Sequence, residues 1–380
     1  MTFFLVCSMI APMKISLDVS SAARAESTGV AMYIRRMVAA FSRVGTDHRF
    51  TLVTRASRLK NIFRLPELPA ANFSNKLMLE GLHPLFSRSQ DIFHGFDARL
   101  PGRWMKAKTV VTIHDVFSSL QSTEFATADF RAMKKKRYLH LVERADRILC
   151  VSNAVKRDVI ATLNPDPAKL RVIYEAGGEG FSRRSDDIVQ AVRKKYCLDR
   201  PYFIFVGSIN KRKNVLMQVK AFLRARRAAK SDALFVIVGR VGFGGEEIRK
   251  SIAQEEGADA VRMVGYVEGD DIPALYSGAR ALLFVTLYEG FGIPAIEAFA
   301  CGCPVIGANV GSVPEIVGEA GLLADPRSEE AIAAQIERLI TDDTLHATLA
   351  TRGLARSKDF SWEKAARECL EMYSNLVTGS

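Results

Sequence analysis

The chain has 380 residues, 48% hydrophobic and 25% charged, a globular composition that excludes intrinsic disorder and is longer than one hydrophobic core usually serves. No apolar run reaches the ~18 residues of a spanning helix. Lys and Arg outnumber Asp and Glu by 53 to 42, a formal charge of +11 that suits an anionic partner. Zinc-finger spacings and aromatic RNP runs do not occur, so phosphorylated small molecules or lipid headgroups are expected rather than nucleic acid.

Residues 1–12 resemble a weak signal core but lack a preceding positive charge, and read as an extension before Met13 or as part of the first strand. Short apolar runs then alternate with helical patterns, as in parallel α/β folds. Strands are predicted at Lys14–Val19, Arg49–Thr54, Asp91–Gly95, Thr109–His114, Arg147–Val151 and Leu170–Tyr174. Helices are predicted at Gly29–Arg43, Phe125–Ala145 and Ala154–Leu163. After a polar stretch near Ser182–Asp187 and a helix to about Tyr196, the pattern restarts. Its strands are Tyr202–Val206, Leu234–Val238, Arg262–Val264, Ala281–Val285 and Pro304–Ile306, and helices close the chain at Glu329–Thr341, Asp343–Ser357 and Trp362–Val377. Two doubly wound domains are expected to meet at a cleft beside the carboxyl ends of their sheets, where such sheets bind ligands. The cysteines at 7, 150, 197, 301, 303 and 369 have no metal-ligand spacing with histidine and read as reduced core thiols.

The densest chemistry lies in Glu289-Gly-Phe-Gly-Ile-Pro-Ala-Ile-Glu297. A buried strand runs into a glycine-rich turn, then into a helix with Pro294 in its first turn, where proline is pre-shaped. Open amides at such a helix start bind an anion. Glu289 before the turn and Glu297 inside the helix offer carboxylates to sugar or ribose hydroxyls. The alternative is a capping glutamate and a solvated one, but apolar neighbours at Ala298-Phe299-Ala300 make an unpaired charge at Glu297 costly.

The segment from Tyr288 to Pro326, YEGFGIPAIEAFACGCPVIGANVGSVPEIVGEAGLLADP, closely resembles the signature region of family 4 glycosyltransferases, with their E-x7-E motif and GT-B fold. STGVAMYIRRMV at Ser27–Val38 looks like the family's glycine loop. VVTIHD at Val110–Asp115, ILCVSNAVKRDVI at Ile148–Ile160 and VGSINKRKNV at Val206–Val215 resemble further family segments. The resemblance implies that Gly29 meets the donor diphosphate, that Lys213 neutralises it as it leaves, and that Arg212 assists. It implies that Phe291, Gly292 and Ile293 offer backbone groups to sugar and phosphate, that Glu289 holds the transferred sugar and that Glu297 holds the ribose. Tyr266-Val267 resembles the loop that meets the nucleobase, and His114 the histidine near the reacting sugar. His94 also ends a strand and is open to an acceptor-side or a structural role.

Two departures stand out. Ser208 replaces an arginine common after the phosphate-loop glycine, and Tyr174-Glu-Ala-Gly-Gly replaces an asparagine-glycine turn. No Asp-x-Asp pair occurs, so Lys213 and Arg212 are expected to act where other transferases use a metal. A basic run, Arg131–Arg137, and the segment Ser57–Leu65 read either as solvated helix faces or as docking surfaces for an anionic membrane.

The resemblance thus implies an α/β GT-B fold: two Rossmann-like doubly wound domains facing across a cleft, with a C-terminal helix packing back on the first. The expected boundaries are an acceptor domain at 1–190, a donor domain at 197–360 and the returning helix at 361–380. The expected function is retaining, metal-independent transfer of a hexose, mannose favoured, to a saccharide or lipid-linked acceptor in envelope polysaccharide or lipopolysaccharide synthesis. GDP-mannose or a UDP-sugar is the expected donor, with no cofactor besides. The expected location is cytoplasmic, with peripheral binding to the inner face of the plasma membrane left open. A nucleotide-sugar epimerase, a phosphorylase or a non-catalytic scaffold are the competing classes.

Overall fold

A computed structural model describes residues 11–22, 29–56, 67–79, 88–101, 105–119 and 127–379. The chain divides into two compact units, one running through Glu175 and resuming at Trp362, the other from Ala176 to Ser361. The division falls at Glu175, short of the expected 190, and the second unit starts well before 197. The cause is the amphipathic helix Asp186–Lys195, which buries Val189 and Val192. It is tied to the second unit by Lys195 and Tyr196, both bonded to Asp271 at 2.6 and 2.7 Å.

The first unit carries a seven-stranded parallel sheet in the order β3-β2-β1-β4-β5-β6-β7. Its strands are β1 Lys14–Asp18, β2 Arg49–Arg55, β3 Phe73–Met78, β4 Ile92–Gly95, β5 Lys108–Ile113, β6 Arg147–Cys150 and β7 Leu170–Val172. β1, β4 and β5 are almost wholly buried, as expected of a sheet covered on both faces. β3 was not predicted. Its sequence FSNKLM buries only its end residues, because an edge strand paired on one side needs little apolar surface.

The C-terminal helix Trp362–Thr378 returns to this unit. Trp362, Ala366, Cys369, Leu370 and Tyr373 recur at helical spacing and are buried. Trp362 meets Tyr33 edge-on at 5.6 Å, and Arg43 bonds Glu363 at 2.7 Å.

The second unit holds a six-stranded parallel sheet, β10-β9-β8-β11-β12-β13. Its strands are β8 Tyr202–Val206, β9 Leu234–Val238, β10 Val261–Gly265, β11 Ala281–Phe284, β12 Val305–Ala308 and β13 Leu322–Ala324. The helices Val215–Ala228 and Glu329–Thr341 help to cover it, and Phe203, Phe222, Phe235 and Ile336 lie in its core. β13 is a three-residue edge strand that the sequence pattern missed. In each sheet the winding reverses once, beside β1 and β4 in the first unit and beside β8 and β11 in the second. Loops leaving those strands at their carboxyl ends diverge there, which opens a crevice in such sheets.

Candidate active site

In the second unit, the loops that flank the reversal carry Arg212, Lys213 and the turn from Glu289 to Ile293. After β8 the chain turns at Gly207 (φ 151°), and Asn210 caps a 3-10 turn over Lys211–Lys213 by accepting from Lys213 N at 3.1 Å. Asn214, in the left-handed region at φ 57°, donates to Val285 O at 3.1 Å and Pro326 O at 2.8 Å. These bonds tie the loop after β8 to the end of β11, and Leu287 N donates to Arg212 O at 2.9 Å. Lys213 and Glu289 thereby meet, Nζ to Oε1 at 2.5 Å, with Arg212 Nη1 3.0 Å from the same oxygen.

Glu289 is nearly buried, at 9% exposure, and burial alone would disfavour its charge. The adjacent Lys213 and Arg212 outweigh that penalty and hold its carboxyl below the ordinary value. Lys213 is instead lowered, because burial and the neighbouring Arg212 outweigh its one anion. Two cations share one carboxylate, so this three-group cluster carries a surplus positive charge. A phosphate or diphosphate would complete it.

The loop from Glu289 onward is held by a residue that the sequence reading missed. Ser312, fully buried, places its hydroxyl 3.0 Å from Glu289 O and 2.5 Å from Phe291 O, donating to one at a time. Gly311 (φ 64°) packs there too, and a Cβ on it would lie 3.2 Å from Glu289 O. The signal was a serine just ahead of the Val313-Pro314 helix start. Asn210 and Asn214 were equally legible, since asparagine caps turns and tolerates the left-handed region.

Gly292 (φ 132°) precedes the helix Ile293–Ala300, whose first turn has no side-chain cap. Phe291 is buried, its ring edge-on to Phe360. Glu297 lies in the helix's second turn beside Gly178, where a Cβ would come within 2.7 Å of its Oε1. The second glycine of the Glu-Ala-Gly-Gly departure, Gly178, therefore leaves room for this carboxylate. Tyr266 and Val267 follow β10, the former 65% exposed and the latter buried.

Gly29 and His114 belong to the first unit. Gly29 opens the helix Gly29–Val44, and among the described residues nothing lies within 4 Å of where its Cβ would be. Its neighbours Ser27 and Thr28 in the glycine loop fall outside the described residues. His114 follows β5 and spends both ring nitrogens on the protein: Nδ1 on Glu175 Oε1 and Nε2 on Phe96 O, each at 2.9 Å. Two acceptors require two N–H groups, which is the imidazolium. Burial opposes that charge, but Glu175, the Phe96 carbonyl and Asp97 raise the pKa above the ordinary value. Both ring nitrogens of His114 are thus engaged within the first unit, and a sugar hydroxyl would have to displace one of these bonds to meet the ring.

His94 is structural. Its Nδ1 meets Tyr373 Oη at 2.5 Å on the returning helix and its Nε2 meets Thr112 Oγ1 at 2.7 Å. Complete burial, and secondarily the charge on His114, push its pKa down to about 3, so it stays neutral.

Comparison with known proteins decides the family. A model described as "Glycosyltransferase Family 4" matches residues 27–176, and one described as "Glycosyl transferases group 1" matches residues 190–356. The chain is 31% identical over 286 residues to O-antigen chain mannosyltransferase B of Escherichia coli, covering 75% of this chain and 74% of that protein. The chain is a family 4 glycosyltransferase. It is also 26% identical to the serotype-specific mannosyltransferase WbdA of Escherichia coli, but spans only 36% of that protein's length. The solved structure of the Anabaena protein HepE, in complex with UDP and glucose, superposes with a TM-score of 0.75 at 16% identity. It covers 96% of this chain and all of its own, and at that identity the likeness concerns the fold, which is GT-B. Glu289 and Glu297 stand at the E-x7-E spacing, and Val206–Val215 is the segment that resembles the family's phosphate loop. None of these comparisons favours the epimerase, phosphorylase or scaffold alternatives.

Proposed function

We propose that the chain transfers a mannosyl unit from GDP-mannose, with retention and without a metal, to a saccharide or lipid-linked saccharide in envelope polysaccharide or lipopolysaccharide synthesis. The observation that carries this is the Lys213–Glu289–Arg212 cluster, two fixed cations around one buried carboxylate. When the glycosyl–phosphate bond breaks, both electrons stay with the diphosphate. Lys213 and Arg212 answer that charge, as a metal does in other enzymes, together with the open amides from Ile293. The acceptor oxygen bonds to the anomeric carbon on the face the phosphate leaves, and its proton passes to the departing phosphate oxygen. Glu289, already engaged by two cations, positions the sugar and is a poor nucleophile. Glu297 takes the ribose hydroxyls.

Mannose is favoured by the names of two relatives. The purified chain should form GDP and add one hexose to a lipid-linked saccharide in the presence of EDTA, read by mass spectrometry, with the donor's anomeric configuration kept in the NMR of the product. Transfer from UDP-hexoses alone, loss of activity in EDTA or an inverted linkage would each overturn the corresponding part.

We place the enzyme on the cytoplasmic face of the membrane. Among the described residues no helix is long and apolar enough to cross it. Support for peripheral docking comes from the helix Ala128–Arg144, which buries only Leu141 and Val142. It exposes Phe130, Met133 and Leu139 amid Lys135, Lys136 and Arg137, a mixture that suits anionic headgroups. The second basic segment, Ser57–Leu65, lies outside the described residues. Co-sedimentation with phosphatidylglycerol vesicles but not phosphatidylcholine vesicles, reduced when Lys135, Lys136 and Arg137 are changed to serine, is expected. No nucleic-acid partner is proposed.

A further inference from the structure

Three adjacent parallel strands of the second unit end in the same way. β8, β9 and β10 run into Val206-Gly207-Ser208, Val238-Gly239-Arg240 and Val264-Gly265-Tyr266. All three glycines have positive φ, at 151°, 141° and 72°. Gly207 N donates to Val238 O at 2.9 Å and Gly239 N to Gly265 O at 2.7 Å. A Cβ on Gly239 would sit 1.9 Å from Gly207 O, so the strand ends pack as closely as glycine permits. The residues after them, Ser208, Arg240 and Tyr266, stand in a row along the carboxyl edge of the sheet, and all three are exposed.

Within that row the cation occurs one strand over from where the family resemblance led us to expect it, at Arg240 rather than at 208. Ile209 N donates to Arg240 O at 2.9 Å, which fixes the backbone from which the side chain springs. The guanidinium carbon lies 4.6 Å from the centroid of the Tyr266 ring, a cation–π stack. Stacking fixes the plane of the guanidinium and leaves its edge, a pair of parallel N–H donors, for another ligand.

We infer that Arg240, held on Tyr266, reads the nucleobase of the donor and selects guanine. This deepens the donor-site assignment and rests on the placing of Tyr266-Val267 at the base. Guanine presents two adjacent acceptors, O6 and N7, that match a two-donor fork. Adenine offers N7 beside an amino donor, which opposes the second N–H, and neither carbonyl oxygen of uracil has a second acceptor beside it, O4 lying between C5–H and N3–H. A lysine at this position would keep the charge and lose the fork.

The test is titration calorimetry of the full chain with GDP, IDP, ADP and UDP. IDP keeps O6 and N7 and serves as the control for them. The native chain should bind GDP and IDP at least about tenfold more tightly than ADP and UDP, in keeping with the discrimination of one bidentate arginine–guanine pair. Arg240→Ala and Arg240→Lys should both abolish that preference while changing ADP and UDP affinity less than twofold. Equal weakening of all four nucleotides would put Arg240 on the diphosphate and overturn base reading, as would tighter native binding of UDP or no change in Arg240→Ala. Lys213→Ala should weaken all four alike. If it weakens none, the donor-site assignment falls, and the base-reading role falls with it.

Discussion

Glu175 Oε1 lies 2.9 Å from His114 Nδ1, and Glu175 is the last residue of the first unit before the chain enters the second. The family's turn usually carries asparagine-glycine at this point. Glu175, within the segment that stands there, raises the His114 pKa. A raised folded pKa adds stability that is full below the unfolded value of about 6.5 and is lost as pH rises through the folded value. Glu175→Gln should therefore lower stability at pH 6 and flatten the decline above pH 6.5, read by urea unfolding. NMR of the imidazole should show a lower His114 pKa. An unchanged titration would contradict the ion pair.

His94 predicts the opposite slope. Its folded pKa near 3 lies below the unfolded value, so its contribution is present above about pH 6.5 and is lost as pH falls towards 3. Tyr373→Phe leaves the buried Nδ1 without its partner and should cost about 1–3 kcal/mol in denaturant unfolding at pH 7. A cost near zero would mean that the His94–Tyr373 bond does not help to hold the returning helix.

Lys213→Ala should lower kcat by about 10²–10³, the scale for removing one group aimed at developing charge. Glu289→Gln leaves Lys213 and Arg212 facing each other without their anion, and should destabilise the free enzyme by about 3–5 kcal/mol. That loss should shrink when the donor diphosphate is added, because the ligand supplies the missing charge. Thermal shift with and without GDP reads both effects, and equal shifts in native and mutant protein would refute the surplus-cation view of the site.

Ser312→Ala keeps the fold's apolar contacts and removes the hydroxyl that braces Glu289 O and Phe291 O. A loss of about 1 kcal/mol in stability is expected. A fall in kcat larger than the rise in KM is expected too, because the braced loop carries the sugar-positioning carboxylate. An effect on KM alone would place Ser312 outside that role.

Gly239→Ala should be poorly tolerated, since its Cβ meets a backbone oxygen at 1.9 Å and its φ is 141°. Gly269→Ala, with open space around its Cβ, is the matched control. Soluble yield and melting temperature compare them, and equal behaviour would argue against close packing of the strand ends.

Much of the site was legible in the chain because its chemistry is local. The glycine-rich turn at Glu289–Gly292 follows a buried strand, and proline opens the helix behind it, so the segment announces an anion-binding helix start without any partner in view. Buried strands such as Phe203–Phe205 and Leu234–Val238 were equally plain, because covering a parallel sheet on both faces demands unbroken apolar runs. β3 and β13 were not, because FSNKLM is polar and exposed through its middle and LLA is only three residues long. Tertiary structure alone decided the partnerships. Nothing near His114 points to Glu175, 61 residues on, and nothing near His94 points to Tyr373, 279 residues on. The sequence could place two histidines at strand ends, but the charge of each depends on what the fold buries beside it: a carboxylate for His114, and a phenol with a threonine hydroxyl for His94.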